Sequence, residues 1–258
     1  MNNLRYNASS VNLANHGIHP YYQHILANLP QLLGPAYPLL FFSFRKTYRL
    51  ASAISGVLLL SAFPHQEARF LLPAAPLILS SIRLPKRFTR TWIAVWVVFN
   101  VTMGFLLGVF HQGGVVPVQM FLAKQDHVTH AFWWKTYSPP IWLLNGRNAA
   151  MVTKDLMGMS GDRMVKELLA VTSCADAGSN RKESVVLVAP RSATFLDQYK
   201  GLNKGKELTL KKVWSYQNHL NLDDMDFAGD GVWATLTRVV GRRGLAVWEV
   251  ERDSDCTE

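Results

Sequence analysis

Pro64-His65-Gln66-Glu67-Ala68-Arg69-Phe70-Leu71-Leu72-Pro73 places four polar or ionisable side chains between two apolar runs. Leu50 to Phe63 precedes it, apolar apart from three small serines, and Phe70 to Ile82 follows it. Charges this close to lipid-compatible segments are costly unless they serve a purpose or sit inside protein. The stretch therefore reads as the ionic tip of a membrane hairpin, with the rest of the chain as scaffold and soluble cap.

Working outward, the run Ile25 to Phe44 contains Pro30, Pro35 and Pro38, so a helix there is expected to be kinked or broken. The runs flanking the tip have about 14 and about 13 residues, short of the roughly 20 that a straight span requires. Either the tip dips below the headgroups, or Thr47 to Arg49 and Arg83 to Pro85 extend the helices into the interface. Thr91 to Phe110 is the cleanest run, with Trp92 and Trp96 near one end. Basic residues bracket these runs at 45–49 and 83–90. The positive-inside rule sends both loops to the cytosol. About four spans then fit, and residues 1–24, the tip and everything after 110 fall together on the opposite, lumenal side.

The whole chain carries a formal charge of +9 and a mean hydropathy of +0.05, an average over two unlike halves. No basic stretch is interleaved with readout aromatics, so nucleic acid is not an expected partner. The positive charge lies beside apolar runs, where it sets membrane topology. The expected organisation is a lumenal loop over 1–24, a transmembrane region over 25–112 and a lumenal α/β domain over 113–258. The α/β expectation rests on strands at Ala131–Tyr137, Ser184–Ala189, Leu208–Ser215 and Leu245–Glu251, alternating with helices at Ser160–Val171 and Gly231–Val240. No phosphate-binding glycine loop occurs. No cluster has metal-ligand spacing, so neither metal nor cofactor is expected. Cys174 and Cys256 fit one disulfide or two thiols equally well.

At the tip, Arg69 is suited to hold a phosphate by paired hydrogen bonds. His65 can donate to it, and Glu67 can accept sugar hydroxyls. Gln66 lies among them. The competing reading is a solvated loop with a Glu67–Arg69 pair. His16 and His19, in Asn12 to Pro20, read as lumenal contacts to a polar substrate or as loop histidines capping helices. His24 joins them on the same face. His111-Gln112-Gly113-Gly114 reads as an exit turn or as a further substrate contact. The acidic run Asp223, Asp224, Asp226 and Asp230 lacks the calcium-loop pattern and is expected to be a solvated loop. Trp133, Trp134 and Trp142 are expected in the core or facing the membrane.

HQEARFLLP at 65–73 resembles the His-x-Glu-x-Arg-Phe motif of the dolichol-phosphate-mannose-dependent mannosyltransferases. NLANHGIHP at 12–20, NLPQLLGP at 28–35, HQGG at 111–114 and VLVAPRSATFLD at 186–197 resemble the branch that adds the fourth mannose of GPI anchors. Tyr21 stands where that branch has a basic residue. The resemblance implies a GT-C-like C-terminal portion of a multi-pass enzyme of the endoplasmic reticulum. Its donor would be dolichyl-phosphate mannose and its acceptor a GPI precursor glycolipid, mannosylated through an α-1,2 linkage. The family's catalytic acidic residue lies on a lumenal loop with no counterpart here. No catalytic residue is therefore expected among these 258 residues, and the fragment alone is expected to be inactive. The alternative is a noncatalytic membrane protein of the same compartment, whose lumenal domain binds a partner.

Overall fold

A computed structural model describes residues 20–144, 150–172, 184–200, 207–227 and 229–252. His16, His19 and both cysteines lie outside them. The chain divides into two compact units, Met1–Met103 and Gly104–Glu258.

In the first unit, helix α1 (His24–Leu33) opens as a π-helical turn over His24–Asn28 and continues as α-helix. It stops at Gly34, whose φ of +53° suits glycine. A Cβ there would also meet the Phe99 ring at 2.3 Å. Pro35 then caps α2 (Ala36–Phe42), and the two helices bend by 117°. Pro35 and Pro38 are tolerated because they sit at the start of α2, where the missing N–H has no partner to lose, while Pro30 falls where the π-helical turn of α1 gives way to α-helix.

Helix α3 (Tyr48–Ser61) starts at Thr47, whose hydroxyl accepts the Leu50 N–H at 3.2 Å. Its buried stripe is Leu50, Ala53, Val57 and Ser61, while Ile54, Leu58 and Leu59 stay exposed. The run Phe70 to Ile82 is not one helix, as expected from sequence, but a 3₁₀ turn (Ala68–Leu71) followed by α4 (Ala74–Leu79). Pro73 and Pro76 supply no N–H and break the ladder. At 1.5 Å per residue, α3 spans about 21 Å and α4 about 9 Å, against a hydrocarbon core of about 30 Å. One described helix, α5 (Thr89–Phe110), is long and apolar enough to cross a membrane alone; the bent α1–α2 pair raises the number to two.

The foot of the α3–α4 hairpin is clasped. Arg45 N–H donates to Ser81 O and Arg83 N–H to Ser43 O, both at 2.8 Å. The Thr47 and Ser81 hydroxyls share a 2.9 Å bond, and Ser43 Oγ donates to Arg83 O. The two basic loops therefore leave the hairpin side by side.

The second unit is a five-stranded mixed sheet of order β2-β1-β3-β5-β4. Strands β1 (Val128–Trp133) and β2 (Val152–Asp155) run parallel, as do β1 and β3 (Ser184–Pro190). Strand β5 (Leu245–Arg252) is antiparallel to both β3 and β4 (Leu208–Tyr216). β3 is buried along its whole length because both faces are covered. Val185, Leu187 and Ala189 point toward α7 (Gly161–Leu169) and its Met164 and Leu168. Val186 and Val188 point toward α6 (Val115–Leu122) and its Val115, Val118 and Leu122. A last helix, α8 (Val232–Val239), precedes β5.

The first strand begins and ends earlier than its sequence pattern predicts. After Trp133 the chain turns at Lys135, whose φ is +54°, so Trp134 to Tyr137 leave the sheet. Trp133 and Trp134 are core residues, whereas Trp142 is 75% exposed.

Candidate functional site

The tip begins where α3 runs out. Gln66 is buried and faces inward: Oε1 accepts the His24 N–H at 3.0 Å, and Nε2 donates to Ser61 O and Phe63 O, each at 3.0 Å. Both of its donors are spent on backbone, so it positions the tip rather than presenting an amide to a ligand. His24 is also buried; its Nδ1 accepts from Asn28 Nδ2 at 2.9 Å. It thus supports the tip from α1. His24 and Gln66, which the sequence offers as candidate substrate contacts, are buried together at a helix junction and bonded there.

With Gln66 turned in, alternation in the extended stretch turns His65 and Glu67 outward. Glu67 is the centre of the cluster. Its Oε1 lies 2.9 Å from His65 Nε2 and accepts Arg69 Nη2 at 2.9 Å, while Arg69 Nε pairs with Oε2. The guanidinium also stacks over Phe70, 5.6 Å from the ring centroid. Two of its five N–H groups are used on Glu67, and the Arg69 side chain is 69% exposed. A carboxylate gripped on one edge by this fork orients the other edge outward as an anion-binding face. Glu67 itself, engaged on both oxygens, is an anchor rather than an unencumbered base.

In the second unit, the HQGG turn is woven into a segment more than 100 residues away. Gln112 N–H donates to Leu220 O at 3.0 Å and its Nε2 donates to Asn221 Oδ1 at 3.0 Å. His111 Nε2 lies 2.8 Å from Tyr137 Oη, and its Nδ1 accepts the Leu222 N–H at 3.4 Å. Gly114 N–H donates to His219 Nδ1 at 3.2 Å. A Cβ on Gly113 would meet Val109 O at 2.0 Å, and one on Gly114 would meet Leu245 Cβ at 2.7 Å. Glycine is therefore required by close approach. Burial, reinforced by the charge of nearby His111, pushes the His219 imidazole down to about 4. His111 is thus a joint residue between the end of α5 and the Asn218–Asp224 segment, a role invisible in the motif alone.

The acidic run is solvent-exposed at Asp223, Asp226 and Asp230, as expected from sequence, but Asp224 is drawn into an ion-pair network. Asp224 receives Lys135 Nζ at 2.9 Å and Arg238 Nη1 at 2.6 Å, and Arg238 Nη2 reaches Asp230 Oδ2 at 2.9 Å. These residues line a cleft of about 500 Å³. Sequence reasoning missed it because Lys135 and Arg238 come from distant turns and helices. Among the described residues, no group of three His, Cys, Asp or Glu side chains is arranged to hold a metal.

Residues 1–144 match the model of the Alg9-like mannosyltransferase family. The chain is 46% identical to GPI mannosyltransferase 4 of Aspergillus oryzae, over 98% of this chain and 52% of that protein. It is 38% identical to the Candida albicans protein of the same name, over 92% of this chain and 48% of that one. For the Saccharomyces cerevisiae protein, also GPI mannosyltransferase 4, identity is 33%, covering 88% and 49%. The chain spans about half the length of the curated relatives it matches. No solved structure matches it.

Proposed function

The chain belongs to the Alg9-like mannosyltransferase family, and on that premise we propose that it forms the donor-phosphate side of a GPI mannosyltransferase site in the endoplasmic reticulum membrane. The donor is dolichyl-phosphate mannose, and the acceptor is the third mannose of a GPI precursor, extended by an α-1,2 linkage with inversion. The acceptor oxygen attacks the anomeric carbon, the bond from that carbon to phosphate oxygen breaks, and the electron pair leaves on dolichyl phosphate. The observation that carries this reading is the Arg69 fork, locked on Glu67 with its other edge exposed. Its outward N–H groups and His65 neutralise the departing phosphate. Glu67 fixes the fork, and the base that takes the acceptor proton comes from outside residues 1–258. These residues alone therefore do not transfer mannose.

The topology proposed is multi-pass, with about four membrane passes and the α/β unit in the lumen. The clasp supports it by bringing the basic segments 45–49 and 83–87 out of one end of one hairpin, so that both obey the positive-inside rule together.

Rescue of cells lacking the fourth-mannose activity by full-length protein tests the site. Arg69→Ala is expected to reduce transfer on the order of 100-fold or more, the usual effect of removing a donor aimed at developing charge. Arg69→Lys keeps the charge but loses the fork, and is expected to fall between. Undiminished rescue by Arg69→Ala and Glu67→Ala would sink the proposal and leave the noncatalytic, partner-binding reading.

A further inference from the structure

We propose that the α/β unit rests on the membrane through an apolar face formed by Val116 and Met120 of α6 with Tyr137, Ile141 and Trp142 of the loop after β1, so that these side chains lie in the lipid interfacial layer. The inference rests on reading α5 as a membrane span. Five large apolar side chains on this face are about half to three-quarters exposed, from Val116 at 47% to Trp142 at 75%. Their exposure is not a failure of packing. The opposite face of the same helix, Val115, Val118 and Leu122, is sealed into the sheet, and Leu144 packs against that cluster. The short helix Ile141–Leu144 lies directly against α6. The exposed residues therefore form one patch on two adjoining elements, of the size and kind that marks an interaction surface.

Three observations identify lipid as the occupant. Val116 follows Phe110, the last residue of α5, by six positions, so it can lie no more than about 20 Å from it along even a fully extended chain. The turn between them is compact, pinned by the Gln112–Leu220 and Gly114–His219 bonds, which holds α6 near the exit of the span. Tyr137 reaches the same exit, its hydroxyl 2.8 Å from His111 Nε2. The composition is that of an interfacial anchor: a tyrosine and a tryptophan with polar tips, aliphatic neighbours and no charged side chain among the five. A patch so placed meets the headgroup boundary before it meets bulk water.

Site-directed spin labelling of the full-length protein in phosphatidylcholine vesicles, with Cys174 and Cys256 replaced by serine, tests this. Labels at Trp142→Cys and Met120→Cys are expected to collide preferentially with oxygen over a water-soluble nickel chelate. A label at Lys211→Cys, on an exposed position of β4, is expected to show the reverse. Labels at 120 and 142 as nickel-accessible as the one at 211 would overturn the proposal by showing a free surface. Labels shielded from both reagents would overturn it in favour of a protein cover, such as another part of the enzyme or a second copy. A label at Val101→Cys in α5 separates the premise from the inference: nickel access there removes both. Photoactivatable phosphatidylcholine on the unsubstituted protein gives an independent reading, with adducts expected on the peptide that carries Tyr137 to Leu144.

Discussion

Gln66 holds three backbone groups at one junction, and that makes it the most testable side chain near the tip. Gln66→Ala removes bonds to His24 N–H and to the carbonyls of Ser61 and Phe63. Leaving buried backbone groups unpaired costs about 1–3 kcal/mol each at most. Thermal unfolding of the variant is expected to shift down, with transfer activity falling further because the Glu67–Arg69 pair loses its footing. His219 is the second residue with a measurable signature. Its folded value of about 4 lies below the ordinary imidazole value near 6.5. The unfolded chain binds the extra proton between those values, so stability is complete above about pH 6.5 and declines as pH falls toward 4. Its contribution is about 3 kcal/mol at most, read as a drop in melting temperature from pH 7 to pH 5 that is smaller in His219→Asn. The Glu67–Arg69 pair, which the competing reading of a solvated loop expects, was legible in sequence because the two charges stand two positions apart. Gln66 was not, since nothing in a glutamine's neighbours reveals whether it faces ligand or backbone. His111 was legible as notable and illegible in role, because its partners arrive from Tyr137 and from 220–222.

Among elements, the prolines and glycines predicted well and the apolar runs predicted poorly. Gly34-Pro35 breaks the first run where the sequence expects a break, and Pro73 shortens α4 beyond expectation. An apolar run records burial or lipid contact but not helix continuity, so 13 apolar residues became two pieces. Strand β2 escaped notice because four residues of alternating exposure give too short a period to stand out. The helix α6 escaped because Pro117 reads as a breaker, although it sits in the first turn. The HQGG turn shows the element-level constraint most directly. Gly114→Ala must displace Leu245 of β5 or the His219 ring. An overpacking cost of about 1–3 kcal/mol is expected, measured as a lower denaturation midpoint, whereas alanine at Gly158, where a Cβ meets nothing, is expected to change stability little.

For the whole molecule, the α/β expectation for the C-terminal part meets a mixed five-stranded sheet, since composition averages over long stretches and is insensitive to local error. The break between compact units falls at Met103/Gly104, inside α5, rather than after the exit turn. The last turns of that helix belong with the sheet because Phe110 to Gln112 are tied to Leu220. Sidedness is the molecule-scale property that can be read in a single gel. Lys182→Ser converts Asn180-Arg181-Lys182 into an acceptor sequon. Glycosidase-sensitive retardation of the full-length protein is expected if the α/β unit is lumenal, and its absence would contradict that topology.

The four bonds that join Ser43, Arg45 and Thr47 to Ser81 and Arg83 act as a suture at the far end of the hairpin from the ionic tip. Closing a loop of this length costs about 3 kcal/mol of chain entropy, and the suture meets that cost at the end of the hairpin away from the tip. The tip is in this way steered from the far end of its own hairpin. If the tip holds the donor phosphate as proposed, alleles that loosen Thr47 or Ser81 should leave the protein folded and in its membrane while raising the donor concentration needed for transfer, a defect that looks like poor substrate supply.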